Sequence, residues 1–195
     1  MFKNLFSIYD EMRLKSHMKM GLQRIKMESN KATNITKHNK KEIAELLKIG
    51  KIELARIKCE HIVRTDDLIE AYGIIELYLE LLQERIHYIS TTKSGEAPPA
   101  DLQEPVASII FAASKVKIDE LGVVSQQLGF KFGKEYKKDA EESRGDAVSN
   151  ERMLRKLSMI PVSVALINGY MTEIASTYGI EYVSVEEGDK EAPMP

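Results

Sequence analysis

Two long stretches of helical periodicity constrain this chain more than any other feature. Across residues 14–47, and again across residues 54–89, apolar or small side chains recur every three or four positions. That spacing is typical of one face of an α-helix. Gly50 lies between the two stretches, and glycine readily takes the left-handed conformation that closes a helix. The pattern predicts two helices of about 35 to 40 residues that pack lengthwise as an antiparallel hairpin.

The rest of the chain predicts a loop followed by shorter helices. TTKSGEAPPADLQE contains glycine and two prolines, which favours a connection. PVASIIFAASKV, KIDELGVVSQQLGFKFGKEYKKDA and NERMLRKLSMI predict a short, a longer and a short helix. Pro161 is expected in the first turn of a last helix, VSVALINGYMTEIASTYGI. We predict one all-α domain over residues 1–183, with the hairpin at 12–90, the loop at 91–104, shorter helices at 105–180, and an acidic, disordered tail at 184–195.

Composition narrows the class of protein. Seven per cent aromatic residues and no tryptophan argue against an aromatic-rich β-barrel or sandwich. The single cysteine excludes an internal disulfide. No window approaches the roughly 18 uninterrupted apolar residues of a membrane span, and MFKNLFSIYDEMRLK lacks the apolar run of a signal peptide. We therefore expect a cytoplasmic protein whose membrane contact, if any, is peripheral.

Charge is distributed unevenly along the chain. The first 60 residues carry 14 Lys and Arg against 7 Asp and Glu, whereas the remainder carries 14 against 23. A basic end indicates a polyanionic partner, either nucleic acid or an anionic membrane. The alternative is that the two oppositely charged parts face each other or another subunit.

No arrangement of residues predicts catalysis or cofactor binding. Cys59 and His61 lie two positions apart, so their side chains diverge on a helix and cannot chelate one ion. His61 falls on the predicted apolar stripe with Leu54 and Ile57, which favours a core position. Gly50-Lys51 lacks the upstream glycine of a phosphate-binding loop, and no serine lies in a GxSxG turn. We predict no catalytic residue, no metal site, no cofactor and no enzymatic activity.

The hairpin residues carry a specific family pattern. AELLKIGKIELARIKCEHIVRTDDLIEAYGIIELYLELLQER resembles the signature hairpin of the increased-sodium-tolerance family, which are ESCRT-III-like regulators of endosomal sorting. Three further blocks agree in order: PVASIIFAA, QQLGFKFGKEY and KLSMIPVSVALINGYMTEIASTYGIEY. The resemblance covers almost the whole chain, from about Leu14 to Tyr182.

The resemblance implies a fold and a function. The fold is an ESCRT-III-like core, in which a long helical hairpin carries shorter helices at one end and a last helix returns to the hairpin. Family members bind an ESCRT-III subunit of the charged multivesicular body protein class and co-polymerise with it on membranes. They also modulate the AAA ATPase that takes ESCRT-III apart, and they catalyse nothing. Peripheral recruitment to endosomal membranes is the location implied.

The resemblance also implies two binding surfaces. The first is a groove along the last helix that receives the C-terminal helix of the ESCRT-III partner, formed here by Val162, Leu166, Tyr170 and Ile174. Positions 166, 170 and 174 form a continuous helical stripe, although the same stripe could simply be core. The second surface is basic and lies on the first helix, where it contacts membrane or a neighbouring subunit; its residues are Lys15, Lys19, Arg24, Lys26 and Lys31.

Three alternatives stay open at this point. Phe2, Leu5, Phe6 and Ile8 could insert into a membrane or pack against the protein. Longer family members bind the ATPase through a terminal helix that EEGDKEAPMP does not resemble, so either the sequence is shortened or the direct ATPase contact is absent. A basic helical protein that binds nucleic acid or another polyanion is the alternative function, although no aromatic residues interleave the basic stretch for base stacking.

Overall fold

The computed structural model describes residues 8–182 of the chain, and all regular structure within that range is helical. The predicted tail and the predicted anchor residues Phe2, Leu5 and Phe6 lie outside the described residues. Within them the α-helices are α1 (Glu11–Lys48), α2 (Ile52–Glu84), α3 (Ile86–Thr91), α4 (Gln103–Lys115), α5 (Asp119–Phe132), α6 (Lys134–Glu142), α7 (Glu151–Lys156) and α8 (Val164–Thr177).

The turn between α1 and α2 is at Gly50, as predicted from the sequence. Gly50 has φ +72°, and its N–H donates to the carbonyl of Leu47 at 3.1 Å. The N–H of Lys51 donates to the carbonyl of Leu46 at 2.9 Å. This pair of hydrogen bonds is a Schellman motif, which satisfies carbonyls that the end of α1 would otherwise leave unpaired.

The described residues fall into two compact units. The larger unit comprises residues 8–31 and 67–158, and the smaller unit comprises residues 32–66 and 159–182. Helices α1 and α2 contribute one half to each unit. The single domain expected from sequence stays a prediction.

The larger unit is built around α4. Residues 105–112 of α4 are all buried, and a helix that is apolar on every side belongs inside a core. The partners of α4 include α5 and α6. The core also contains Leu14, Met18 and Ile25 of α1, and Ile75, Leu79 and Leu82 of α2.

A buried lysine fixes the start of α1 in the larger unit. Lys131 of α5 is buried, and its Nζ donates to the carbonyl of Ser90 at 2.8 Å. The same Nζ lies 4.8 Å from the centre of the Tyr9 ring, while the Tyr9 hydroxyl hydrogen-bonds Ser90 Oγ at 2.9 Å. The Asp10 N–H donates to Gln127 Oε1 at 2.8 Å. Residues 9 and 10 are therefore held against α3 and α5 before α1 begins.

A polar network holds α7 against α2. Asn150 caps α7 by accepting from the Met153 N–H at 3.1 Å, and its amide donates to Glu104 and to the Tyr78 hydroxyl, both at 3.1 Å. Burial, followed by the hydrogen bond to the Glu104 carboxylate, raises the pKa of Tyr78 to about 12. One turn further along α7, ion pairs continue the contact.

Those ion pairs join two bases of α7 to two acids of α2. Lys156 Nζ lies 2.7 Å from Asp67 Oδ1 and 3.1 Å from Glu70 Oε1. Arg152 lies 2.6 Å from Glu70. The hydrogen bond from Arg152, and then the one from Lys156, lower the pKa of Glu70. Four charges in one connected cluster hold a six-residue helix that is too short to be stable by itself.

Three expectations about the fold are wrong. The longer helix predicted from KIDELGVVSQQLGFKFGKEYKKDA is two helices, α5 and α6, separated at Gly133. Pro161 precedes the last helix, which begins at Val164 after the cap Ser163. Leu54, Ile57 and His61 face solvent, since the buried face of α2 in the smaller unit is formed by Ala55, Cys59, Ile62 and Val63.

Gly133 generates the first prediction. Its φ of +105° and ψ of 154° lie in a region that is essentially restricted to glycine. We expect Gly133→Ala to lower the free energy of unfolding by about 1 to 3 kcal/mol, measured by urea denaturation. The control is Gly122→Ala in α5, where an added Cβ meets no atom within 4 Å; it should raise the stability by up to about 1 kcal/mol. Equal stability of the Gly133→Ala variant and the wild type would show that residue 133 does not need a conformation restricted to glycine.

Candidate partner-helix site

The candidate groove lies on α8, and its local sequence sets where that helix begins. Ser163 is the N-cap, and its Oγ accepts from the Leu166 N–H at 3.2 Å. Capping by serine satisfies one of the N–H groups that the first turn cannot pair. The buried face of α8 consists of Ile167, Met171, Ile174 and Ala175. In the smaller unit these side chains pack against Ile43, Ala44 and Leu47 of α1 and Ala55, Cys59 and Ile62 of α2.

The four residues predicted to line the groove differ in their accessibility. Leu166 is 46 % exposed, whereas Val162 and Tyr170 are half-buried and border the core. Ile174 is 3 % exposed and belongs to the core itself. A partner helix on this flank could reach Leu166, Tyr170 and Val162 but not Ile174, so we remove Ile174 from the set of partner-contacting residues.

Tyr170 lies beside charged groups of the smaller unit. Lys40 Nζ of α1 is 5.9 Å from the centre of the Tyr170 ring and 3.9 Å from Asp66 Oδ2 of α2. A cation near the face of a tyrosine ring is attracted by the ring quadrupole, with an energy of about 0.5 to 1 kcal/mol at exposed sites. The flank of α8 therefore offers an aliphatic position at Leu166 next to an aromatic position bordered by a base.

Sequence reasoning missed two exposed residues just before α8. Met159 is 90 % exposed and Ile160 is 70 % exposed. Large apolar side chains that stand in water next to one another are typical of interaction surfaces. The proline that follows them could have indicated their exposure. Pro161 disfavours a helical conformation at Ile160, so Ile160 does not join the buried face of α8.

Cys59 lies directly beneath α8. Its thiol is fully buried, and Sγ lies 3.6 Å from the carbonyl oxygen of Ile167, to which it donates. Burial raises the pKa of Cys59 to about 11, so the thiol is neutral near pH 7. His61, two residues on, faces solvent. Residues 8–182 contain no group of three or more His, Cys, Asp and Glu that could hold a metal ion.

The basic surface predicted on α1 divides into two kinds of residue. Arg24 pairs with Glu120 at 3.2 Å, Lys31 with Glu28 at 3.9 Å, and Lys26 with Glu76 and Glu80 at 3.1 and 3.2 Å. Lys15 and Lys19 are exposed, and within the described part of the chain neither has a carboxylate within 4 Å. The positive charge that remains available on this half of α1 is therefore concentrated near its N-terminal end.

None of the described helices is both long and apolar enough to cross a bilayer.

Comparison with a solved structure defines the class of this fold. The chain is similar to the crystal structure of the Saccharomyces cerevisiae Ist1 N-terminal domain in complex with a Did2 MIM motif, with a TM-score of 0.79 and 26 % identity. The match covers 92 % of this chain and 98 % of that one. The fold is therefore the ESCRT-III-like helical core of that domain, and the predicted fold class is confirmed.

Sequence comparisons then give the family. Residues 15–181 match the family described as "Ist1: Regulator of Vps4 activity in the MVB pathway", so the chain belongs to the Ist1 family. It is 32 % identical to an IST1-like protein of Dictyostelium discoideum and 28 % identical to the vacuolar protein sorting-associated protein IST1 of Saccharomyces cerevisiae. Each match covers 89 % of this chain, but only 46 % and 60 % of the respective relatives. The chain thus spans about half the length of the curated relatives it matches.

The contact between Cys59 and α8 generates the second prediction. A buried thiol whose pKa is about 11 should react with Ellman's reagent at pH 8 at least about a hundredfold more slowly than the same thiol in unfolded protein, because reaction requires local opening. Labelling is unambiguous because the chain has one cysteine. Equal rates with and without denaturant would show that α8 does not cover the thiol.

The same pKa shift fixes the sign of a pH effect. The folded pKa lies above the ordinary value of 9.0, so the stabilising contribution of the neutral thiol is present below about pH 9. It is lost as the pH rises through about 11. Thiol-specific loss of stability should therefore be seen only in alkaline solution, and Cys59→Ser should not show it.

Proposed function

We propose that this protein is a non-enzymatic regulator of ESCRT-III in multivesicular body sorting. It binds the C-terminal helix of an ESCRT-III subunit of the charged multivesicular body protein class through the flank of α8. The observation that carries the proposal is the exposed apolar flank itself, with Leu166 and half-buried Tyr170 one helical turn apart on a domain whose yeast relative was crystallised with a Did2 MIM motif.

The chemistry of the flank fits an amphipathic helix. A helix that lays its apolar face into a groove is read through anchors spaced three and four residues apart, and positions 166 and 170 have that spacing. Met159 and Ile160 are further exposed apolar residues in the segment just before α8.

The regulatory role rests on the family description. That description names regulation of Vps4 activity, and regulation needs no catalytic group of its own. We accordingly propose that the chain acts by binding ESCRT-III and thereby modulating the AAA ATPase that disassembles it, and that it is not an enzyme. No residue of this chain is assigned to direct contact with the ATPase.

A second surface completes the proposal. Lys15 and Lys19 are exposed on the N-terminal part of α1 and have no carboxylate within 4 Å in the described part of the chain. Each base near an anionic lipid surface contributes about 1 kcal/mol. Arg24, Lys26 and Lys31 already have acidic partners and contribute less. We propose that this surface holds the protein peripherally on endosomal membranes, where it can co-polymerise with its ESCRT-III partner.

The α8 flank generates the third prediction. We expect Leu166→Ala combined with Tyr170→Ala to weaken binding of a fluorescently labelled C-terminal helix of a charged multivesicular body protein at least about tenfold, because both anchors are truncated. The measurement is fluorescence polarisation, with circular dichroism as a check on folding. Val164→Ala is the matched control, since Val164 is also exposed but points to another side of α8. Unchanged affinity in the folded double variant would exclude the site.

The basic surface generates the fourth prediction. We expect Lys15→Gln combined with Lys19→Gln to reduce binding to phosphatidylserine-containing vesicles by roughly thirtyfold, the effect of about 2 kcal/mol. Lys134→Gln combined with Lys138→Gln is the control, because both lysines are exposed residues of the same unit on α6. Similar losses in the two pairs, measured by flotation, would mean that net charge rather than this surface determines binding.

A further inference from the structure

The exposed face at the start of α1 carries large apolar side chains in an acid-free segment. Met12, Met20 and Met27 are 72 %, 46 % and 65 % exposed. Residues 12–27 contain no aspartate or glutamate. The two features occur together on the part of α1 that also presents Lys15 and Lys19.

The three methionines share one side of the helix. They are separated by about two helical turns each, so they fall within one arc of the helix surface. Their side lies away from Leu14, Met18 and Ile25, which enter the core of the larger unit. The core therefore does not require methionine at positions 12, 20 and 27, and three polar residues there would leave its contacts unchanged.

Methionine suits contact with a fluid surface. Its side chain is unbranched and polarisable, so it adapts to irregular apolar surroundings. Helices that lie in a bilayer interface combine such side chains with lysines, whose long stems keep the ammonium groups at the level of the lipid headgroups. A purely electrostatic contact would need the lysines alone.

We propose that Met12, Met20 and Met27 enter the boundary between headgroups and acyl chains of an anionic membrane. The membrane contact of α1 is then apolar as well as electrostatic. This inference rests on the proposed membrane-binding role of the Lys15 and Lys19 surface, and it adds the groups that penetrate the bilayer. An anionic lipid surface fits better than a second protein surface, because Lys15 and Lys19, which have no carboxylate within 4 Å among the described residues, lie beside exposed methionines, and this pairing of bases with apolar side chains matches headgroups above acyl chains.

Salt concentration distinguishes the electrostatic from the apolar part of the membrane contact. Electrostatic attraction at a surface is largely screened at about 0.5 M salt, where the Debye length is roughly 4 Å, whereas burial of apolar groups is not. The test is flotation with phosphatidylserine-containing vesicles at low and high salt. It compares the wild type, a triple Met→Ser variant and a triple Met→Leu variant at positions 12, 20 and 27.

The expected results differ for each variant. Triple Met→Ser should bind at least about tenfold more weakly at both salt concentrations, since less apolar surface is buried. Triple Met→Leu should stay within about threefold of the wild type, because leucine is similarly apolar. The Lys15→Gln and Lys19→Gln pair should lose binding mainly at low salt.

Two failures are distinguishable. If the wild type does not float with anionic vesicles, the proposed membrane surface fails and the inference fails with it. If the wild type floats and triple Met→Ser floats equally well at both salt concentrations, the lysine surface stands and the inference alone is overturned. A Met→Ser variant that floats normally but no longer assembles with other copies would also overturn it, by making the methionine face a protein contact.

Peroxide footprinting tests the same point without any substitution. Hydrogen peroxide transfers one oxygen atom to the thioether sulfur, giving the sulfoxide and water. Vesicles should slow oxidation of Met12 and Met27, measured by mass spectrometry, at least about fivefold if these side chains leave water. Met159, which is 90 % exposed and lies in the smaller unit, is the internal control and should oxidise at an unchanged rate. Equal protection of all three, or of none, would overturn the inference.

Discussion

Close packing of α8 on small residues is the constraint on which the proposed partner site depends. Ala55 and Cys59 of α2 lie beneath α8, and Cys59 Sγ reaches the Ile167 carbonyl at 3.6 Å. Small side chains at these positions let the helix backbone approach closely, so the large residues Ile167, Met171 and Ile174 fill the core from above. This packing fixes the rotation of α8 about its axis. As a result, Leu166 is exposed to solvent and Ile174 is buried.

The two proposed surfaces of this protein achieve accessibility in different ways. The flank of α8 is the edge of a helix that is mostly engaged in its own core, so its exposed apolar area is narrow and sharply placed. The methionine and lysine face of α1 is the broad outer side of a helix whose other side alone is buried. A narrow edge is suited to binding one partner helix, whereas a broad and adaptable face is suited to binding a fluid membrane, which has no fixed shape.

Most of the helices could be predicted from apolar spacing, and the turn between α1 and α2 from Gly50. Which side of α2 is buried in the smaller unit could not be predicted. Leu54 and Ile57 are larger and more apolar than Ala55 and Cys59, yet Ala55 and Cys59 face α8. Predicting the buried face from large apolar residues fails where two helices pack closely, because close packing requires small side chains. The break at Gly133 was missed for a related reason: a helical pattern continues on both sides of it, and only the backbone conformation of one residue shows the interruption. In the groove, spacing alone grouped Ile174 with Leu166 and Tyr170, and only burial separates them.

The segment that joins α7 to α8 is open to cleavage. Residues 157–163 lie outside the helices, contain the highly exposed Met159, and run between a helix held by ion pairs and a helix held by its cap. Unstructured, accessible backbone of this kind is what proteases cut. A single cleavage there would remove the covalent link between α7 and α8, and α8 would then be held by the side chains that it buries in the smaller unit. The placement of Leu166 and Tyr170 would then depend on that packing alone.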